Sequence, residues 1–108
     1  MNIDALRQQL TKVQIILRDL GDIHFADLVG EALSGSDDAL ESFAVSNTLW
    51  GGAGSIADQA GVDPDRTERR KIEAALIALG EEQITAGLVN VRTRMWVDVF
   101  KQWQREGA

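Results

Sequence analysis

The chain contains no cysteine. Disulfides, thiolate metal sites and a cysteine nucleophile are therefore excluded, and the composition suits a reducing compartment. Proline is nearly missing too, with Pro64 alone, and His24 is the single histidine. There is no low-complexity tract. Long apolar runs are absent: no stretch of large apolar residues exceeds the three of Ile15-Ile16-Leu17, against the about 20 mostly apolar residues a membrane span needs. Met1-Asn2-Ile3-Asp4 has no basic n-region, and the residues after it mix polar with apolar. No signal peptide and a cytoplasmic location are expected. Basic charge is in deficit, with 11 Lys and Arg against 17 Asp and Glu, a net of −6. Duplex binders usually carry a basic face. The balance points away from nucleic acid and anionic membranes; it favours a basic protein partner or simple solubility.

What remains is ordinary globular material. The 108 residues make one domain's worth of chain, spanning 1–108, and the 44% hydrophobic and 26% charged fractions argue against disorder. Apolar residues recur at helical spacing. Ile3, Leu6, Leu10, Val13, Leu17 and Leu20 form one stripe, closed by Gly21. Asp22 is placed to cap a second helix over 23–33, with Phe25, Leu28, Val29, Ala32 and Leu33 inward. Ser36 or Asp37 caps a short third helix carrying Leu40 and Phe43. Asp63-Pro64 is a start signal for a long helix to about Ala86, with Ile72, Ala75, Leu76, Leu79 and Gln83 or Ile84 buried, and Gly87 as its stop. Gly80 inside that helix implies a kink or close packing against another helix. Asn90 caps a last helix with Met95, Trp96, Val99, Phe100 and Trp103 on its apolar side. Trp96, Phe100 and Trp103 read as core, or as a dimer or partner interface if that face outgrows the domain. Nothing alternates with period two long enough to demand a sheet. The expected fold is all-α, a single-domain bundle of about five helices with a Gly-rich, Trp-containing loop.

Residues 46–55, Ser-Asn-Thr-Leu-Trp-Gly-Gly-Ala-Gly-Ser, read as the least helical segment, with Thr48-Leu49-Trp50 briefly extended at most. The clustered glycines imply special dihedrals. Ser55 and Asp58 resemble a capping box opening a helical turn over 56–60. Gly52-Ala53-Gly54-Ser55-Ile56-Ala57 matches G-x-G-x-x-A, but the dinucleotide fingerprint needs a strand before and after, and none is expected. A glycine turn opening a helix still presents free N–H groups, and Trp50 offers a flat apolar wall. Trp50, Gly51, Gly52, Gly54, Ser55 and Asp58 are therefore candidate binding residues. The competing reading makes Trp50 a core plug. Arg66, Arg69 and Arg70 share a face near the start of the long helix, against the helix dipole. They are candidates for a bound anion or acidic surface, or are paired internally with Asp58, Asp63 or Glu73.

Leu49-Trp50-Gly51-Gly52-Ala53-Gly54-Ser55-Ile56-Ala57-Asp58 resembles the signature Trp-Gly-Gly-x-Gly-Ser-aliphatic-x-Asp of an uncharacterised family of small bacterial proteins, a domain of unknown function. The resemblance extends through Arg69-Arg70-Lys71-Ile72 and Glu81-Glu82-Gln83 to Met95-Trp96 and Phe100. It implies a bacterial protein and transfers no catalytic residue.

Catalytic and metal patterns are missing. Zinc and di-iron sites generally need at least two imidazole or thiolate ligands, and only His24 is present. Ser55 lacks a nucleophile elbow and reads as a cap. Asp58, Asp63 and Asp65 lack the spacing of a calcium loop. No enzyme, metal or cofactor is expected. The function expected is a protein-interaction module, by analogy of size and charge an immunity-like one that neutralises a basic partner, or a homodimer. The alternative is a small-ligand or anion-binding domain using the glycine loop and the arginines.

Overall fold

The computed structural model describes residues 2–60 and 65–107, with the backbone alone at Arg66. Those residues form seven helical segments and no strand: α1 (Ile3–Asp19), α2 (Ile23–Ser34), α3 (Asp37–Ala44), α4 (Asn47–Trp50), α5 (Ile56–Ala60), α6 (Arg66–Ala86) and α7 (Thr93–Glu106). The all-α bundle expected from the periodicity is what forms.

α1, α3 and α6 start on side-chain caps, and α1 and α6 stop at left-handed glycines. Asn2 Oδ1 accepts from Asp4 N (2.9 Å) and Ala5 N (3.3 Å), opening α1. Gly21, at φ +84°, closes it, with Asp22 N donating back to Leu17 O (2.9 Å). α2 then folds back antiparallel on α1. Arg7 Nη1 donates to Leu33 O (2.7 Å) at one end, and Gln14 Nε2 to Ala26 O (3.3 Å) further along. Asp22 occupies the cap position of α2 but makes no side-chain capping bond, unlike the expectation. Ser36 caps α3 through Ala39 N (3.1 Å). Asp65 caps α6, its carboxylate accepting from Glu68 N (3.1 Å). The expected cap at Asp63 and the helical start at Pro64 lie outside the described residues. Gly87, at φ +74°, ends α6 as expected.

α1 and α6 form the centre, flanked by α2 and α7. The side chains of α1 that face inward are Leu6, Leu10, Val13 and Leu17, those of the expected stripe, with Ile3 and Leu20 half-buried at its ends. α6 contributes Ile72, Leu76, Leu79 and Gln83. α7 is rotated from its expected face. Thr93, Val97 and Phe100 are buried, Trp96 and Trp103 are half-buried against the core, and Met95 is 45% exposed. The reason is Gly80: an added Cβ there would overlap Val97 Cγ2, so α7 lays Val97 into the gap that the glycine leaves on α6. Close packing, one of the two outcomes expected at Gly80, is thus how that glycine is used.

Candidate functional site

The segment read as loop is instead a chain of capped turns. Ser46 Oγ accepts from Leu49 N (3.3 Å) and donates to Phe43 O (2.7 Å), nucleating the single turn α4. Thr48-Leu49-Trp50 is therefore helical rather than extended. Leu49 and Trp50 land in the core, both fully buried.

Trp50 is held by chemistry as well as packing. Its Nε1 donates to Gln83 Oε1 (3.0 Å), and its ring lies against Gly80. Gln83 is itself fully buried, and its Nε2 donates to Ala44 O (2.7 Å) and Leu88 O (2.9 Å). Both amide protons and the carbonyl of Gln83 are thus satisfied, as burial in a low-dielectric core requires. Asn90 makes a second knot. Its Nδ2 donates to Trp50 O (2.9 Å), Val45 O (3.2 Å) and Ser46 O (3.2 Å), while its Oδ1 accepts from Arg92 N (2.8 Å) and Thr93 N (3.1 Å). Asn90 is the expected cap of α7, but the cap position is Arg92, which has no side-chain capping bond; Asn90 instead closes the turn that leads into α7 and gathers the carbonyls between α3 and the end of α4. Trp96 Nε1 adds a bond to Gly51 O (2.9 Å).

The glycines serve different ends. Gly51 is buried at φ −109°, and a Cβ there would overlap Asn47 O, so space demands the glycine. Gly54 sits at φ +86°, the left-handed region that disfavours side chains. The capping box is present in a shifted form. Ser55 Oγ accepts from Asp58 N (3.1 Å) and donates to Gly51 O (3.2 Å). Asp58 Oδ2 accepts from Gly54 N (2.9 Å), one residue before the cap. The carboxylate of Asp58 thus already occupies the place at this turn where an external anion would bind.

The candidate residues do not converge. Trp50, Gly51 and Ser55 are buried, Gly52 and Asp58 are half-buried, and Gly54 is exposed at the turn's tip. No hydrogen bond or ion pair among the described residues joins Arg69 or Arg70 to the turn. Those two arginines flank Glu73. The side chain of Arg66 lies outside the described residues. The guanidinium that meets the turn belongs to Arg92, which would lie 3.6 Å from a Cβ on Gly52. Beside it, Val91 is 94% exposed and Met95 45%. Neither Arg92 nor Val91 stood out in the sequence, because the turn between α6 and α7 carries no periodicity.

Glu73 is one of the internal partners expected for the arginines, at i and i+4 from Arg69. It is only 1% exposed, and its Oε1 has no hydrogen-bond partner. Burial pushes its carboxyl above the ordinary 4.5, while Arg69, then Gln104, then Arg70 hold it down. His24 is exposed, its ring 5.5 Å from that of Phe25. Asp58 and Asp65 each serve a backbone N–H, and no cluster of three metal-type ligands exists among the described residues. Likewise, no helix among them is long and apolar enough to cross a membrane. No family model matches the chain, and neither the curated proteins nor the solved structures contain a significant match.

Proposed function

We propose that the chain is a non-enzymatic protein-interaction module that docks through the corner formed by the Gly52–Gly54 turn and the Val91–Met95 segment. The observation that carries this reading is an apolar one. Val91, at 94% exposure, and Met95, at 45%, stand beside Arg92 on a corner that Asn90, Trp96 and the Trp50–Gln83 pair make rigid. A rigid anchor loses little conformational entropy on binding, which favours affinity. The bacterial family resembling the Leu49–Asp58 stretch, and a cytoplasmic location, are consistent with such a role.

Local chemistry selects the partner more strongly than net charge does. Charges interact over a Debye length of about 8 Å at physiological salt, and the guanidinium at the corner is that of Arg92. An apolar segment with acidic borders fits it. A basic partner of the immunity kind fits the overall −6 but not this corner. The anion-binding alternative is weaker still, because Asp58 fills the turn from within.

The test is affinity capture under stoichiometric conditions with the wild-type chain and with the Val91→Asp, Met95→Asp double variant. The wild type should retain one dominant protein that the variant loses at unchanged melting temperature. Capture of the same proteins by both, or of none, overturns the proposal.

A further inference from the structure

An open groove of about 430 Å3 runs between α1 and α6. Its apolar wall on α1 is Ile15 and Ile16; on α6 it is Ala74, Ala75 and Ala78. The two helices are antiparallel here, since Leu17 and Leu20 share one small cavity with Ile72 while Gln9 and Ala78 share the groove. Ile15 is 54% exposed on a helix whose other large aliphatic residues are buried or half-buried. The alanines form a low rail that lets a third helix approach α6 closely, at the short end of the usual range of about 8–10 Å.

The rim has a definite sign. Its charged residues are Lys12 and Lys71, and no carboxylate lines the groove. That runs against a composition of 17 acidic to 11 basic residues. Lys12 makes no ion pair among the described residues, and Lys71 meets Glu68 only at 3.4 Å with its side chain 58% exposed.

We propose that this groove docks an amphipathic helix of another protein, one whose apolar face is bordered by carboxylates. A second copy of this chain fits less well. Symmetric pairing across the groove would bring two copies of Lys12 to one interface with no carboxylate among the groove's lining residues to meet them, since Glu68 is already engaged by Lys71. The proposal concerns a different surface from the corner beside Gly52 and does not rest on it.

The probe is a fluorescein-labelled designed helical peptide with leucines on one face and glutamates along both borders; its twin carries lysines at the border positions. Fluorescence anisotropy should show the glutamate peptide binding about tenfold or more tighter than the lysine twin. Amide shifts should concentrate in Lys12–Ile16 and Lys71–Ala78. Ile15→Glu should weaken binding by at least about tenfold. Ala78→Glu, on an exposed helical position, should do the same without loss of helicity, and provides the answer if Ile15→Glu misfolds. Lys12→Glu combined with Lys71→Glu should invert the preference between the peptides. Equal binding of both peptides, binding of neither, shifts confined to the Val91–Met95 corner, or a sedimenting dimer that Ile15→Glu dissociates would each overturn the proposal.

Discussion

Two buried polar side chains dominate at the scale of single residues, and they pull in opposite directions. Gln83 is fully satisfied by Trp50, Ala44 and Leu88. Replacing it by Leu strands the indole N–H and two carbonyls in the core. Each such orphan costs about 1–3 kcal/mol. Urea denaturation of Gln83→Leu should therefore show a loss of about 2–4 kcal/mol, among the larger single-site effects. Glu73 is the reverse case, because its Oε1 is buried without a partner. Its carboxyl is raised in the folded state, chiefly by burial, so the folded chain binds the proton more tightly than the unfolded one. The stability from this group is full below the ordinary value of 4.5 and is lost as pH rises through the higher folded value. Thermal melts across that window should show wild-type stability falling with pH. Glu73→Gln should flatten the curve and melt higher than wild type at neutral pH. The stripe reached Gln83 or Ile84 without choosing between them; the structure buries the amide fully and leaves Ile84 half-buried. Glu73 gave no comparable sign, since its i and i+4 spacing to Arg69 is that of a surface pair.

Caps and close approaches decide the elements. Asn90 is a case where half the role was legible. That it would bond backbone N–H groups ahead of α7 follows from residue type, although it does so from the turn before the Arg92 cap position; its three bonds to Val45, Ser46 and Trp50 cross 40 or more positions of sequence. Asn90→Asp retains the accepting oxygen and loses the donors; Asn90→Ala loses both. The alanine variant should cost about 2–3 kcal/mol in chemical denaturation, with the aspartate variant also destabilised because its charge faces three carbonyls. Gly80 gives the second test. Gly80→Ala forces a Cβ into Val97 Cγ2, and Trp50 lies too close behind to yield. Overpacking of this kind costs about 1–3 kcal/mol, despite the helix propensity that alanine gains. Adding Val97→Ala should recover part of the loss, and the coupling in that double-mutant cycle reads the contact directly. Arg7 was silent in the sequence. It ties α1 to the carboxyl end of α2 through Leu33 O and pairs with Asp37 at 3.0 Å. Neither partner is within its own helix, so no local pattern announces it.

For the molecule as a whole, stability and recognition are carried by separate residues. The radius of gyration of 12.7 Å is near the about 13 Å of a closed domain of this length. Exposed ion pairs such as Arg18–Asp27 at 3.6 Å add little to that closure. Among the described residues the exposed large hydrophobics are Ile15, Ile23, Val91 and Met95; the two proposed docking surfaces are the Val91–Met95 corner on α7's approach and the Ile15 groove on α1. Substitutions there should leave the fold intact. Val91→Asp with Met95→Asp should change unfolding free energy by no more than about 0.5 kcal/mol, because neither side chain is buried. A larger loss in urea denaturation would make the corner a part of the core instead of a docking surface.

The amino-acid order by itself determined the helical class, the inward stripe of α1, the turns at Gly21 and Gly87 and the capping of α5, because each depends on neighbours within about one or two turns. Only the tertiary structure decided that Trp50 is sealed against Gln83, that α7 turns Val97 rather than Met95 inward, and that Glu73 is buried. Those outcomes depend on which residues of distant helices meet, and the space left by Gly80 and the orphan carbonyls of α3 and α4 exists only once the helices have packed.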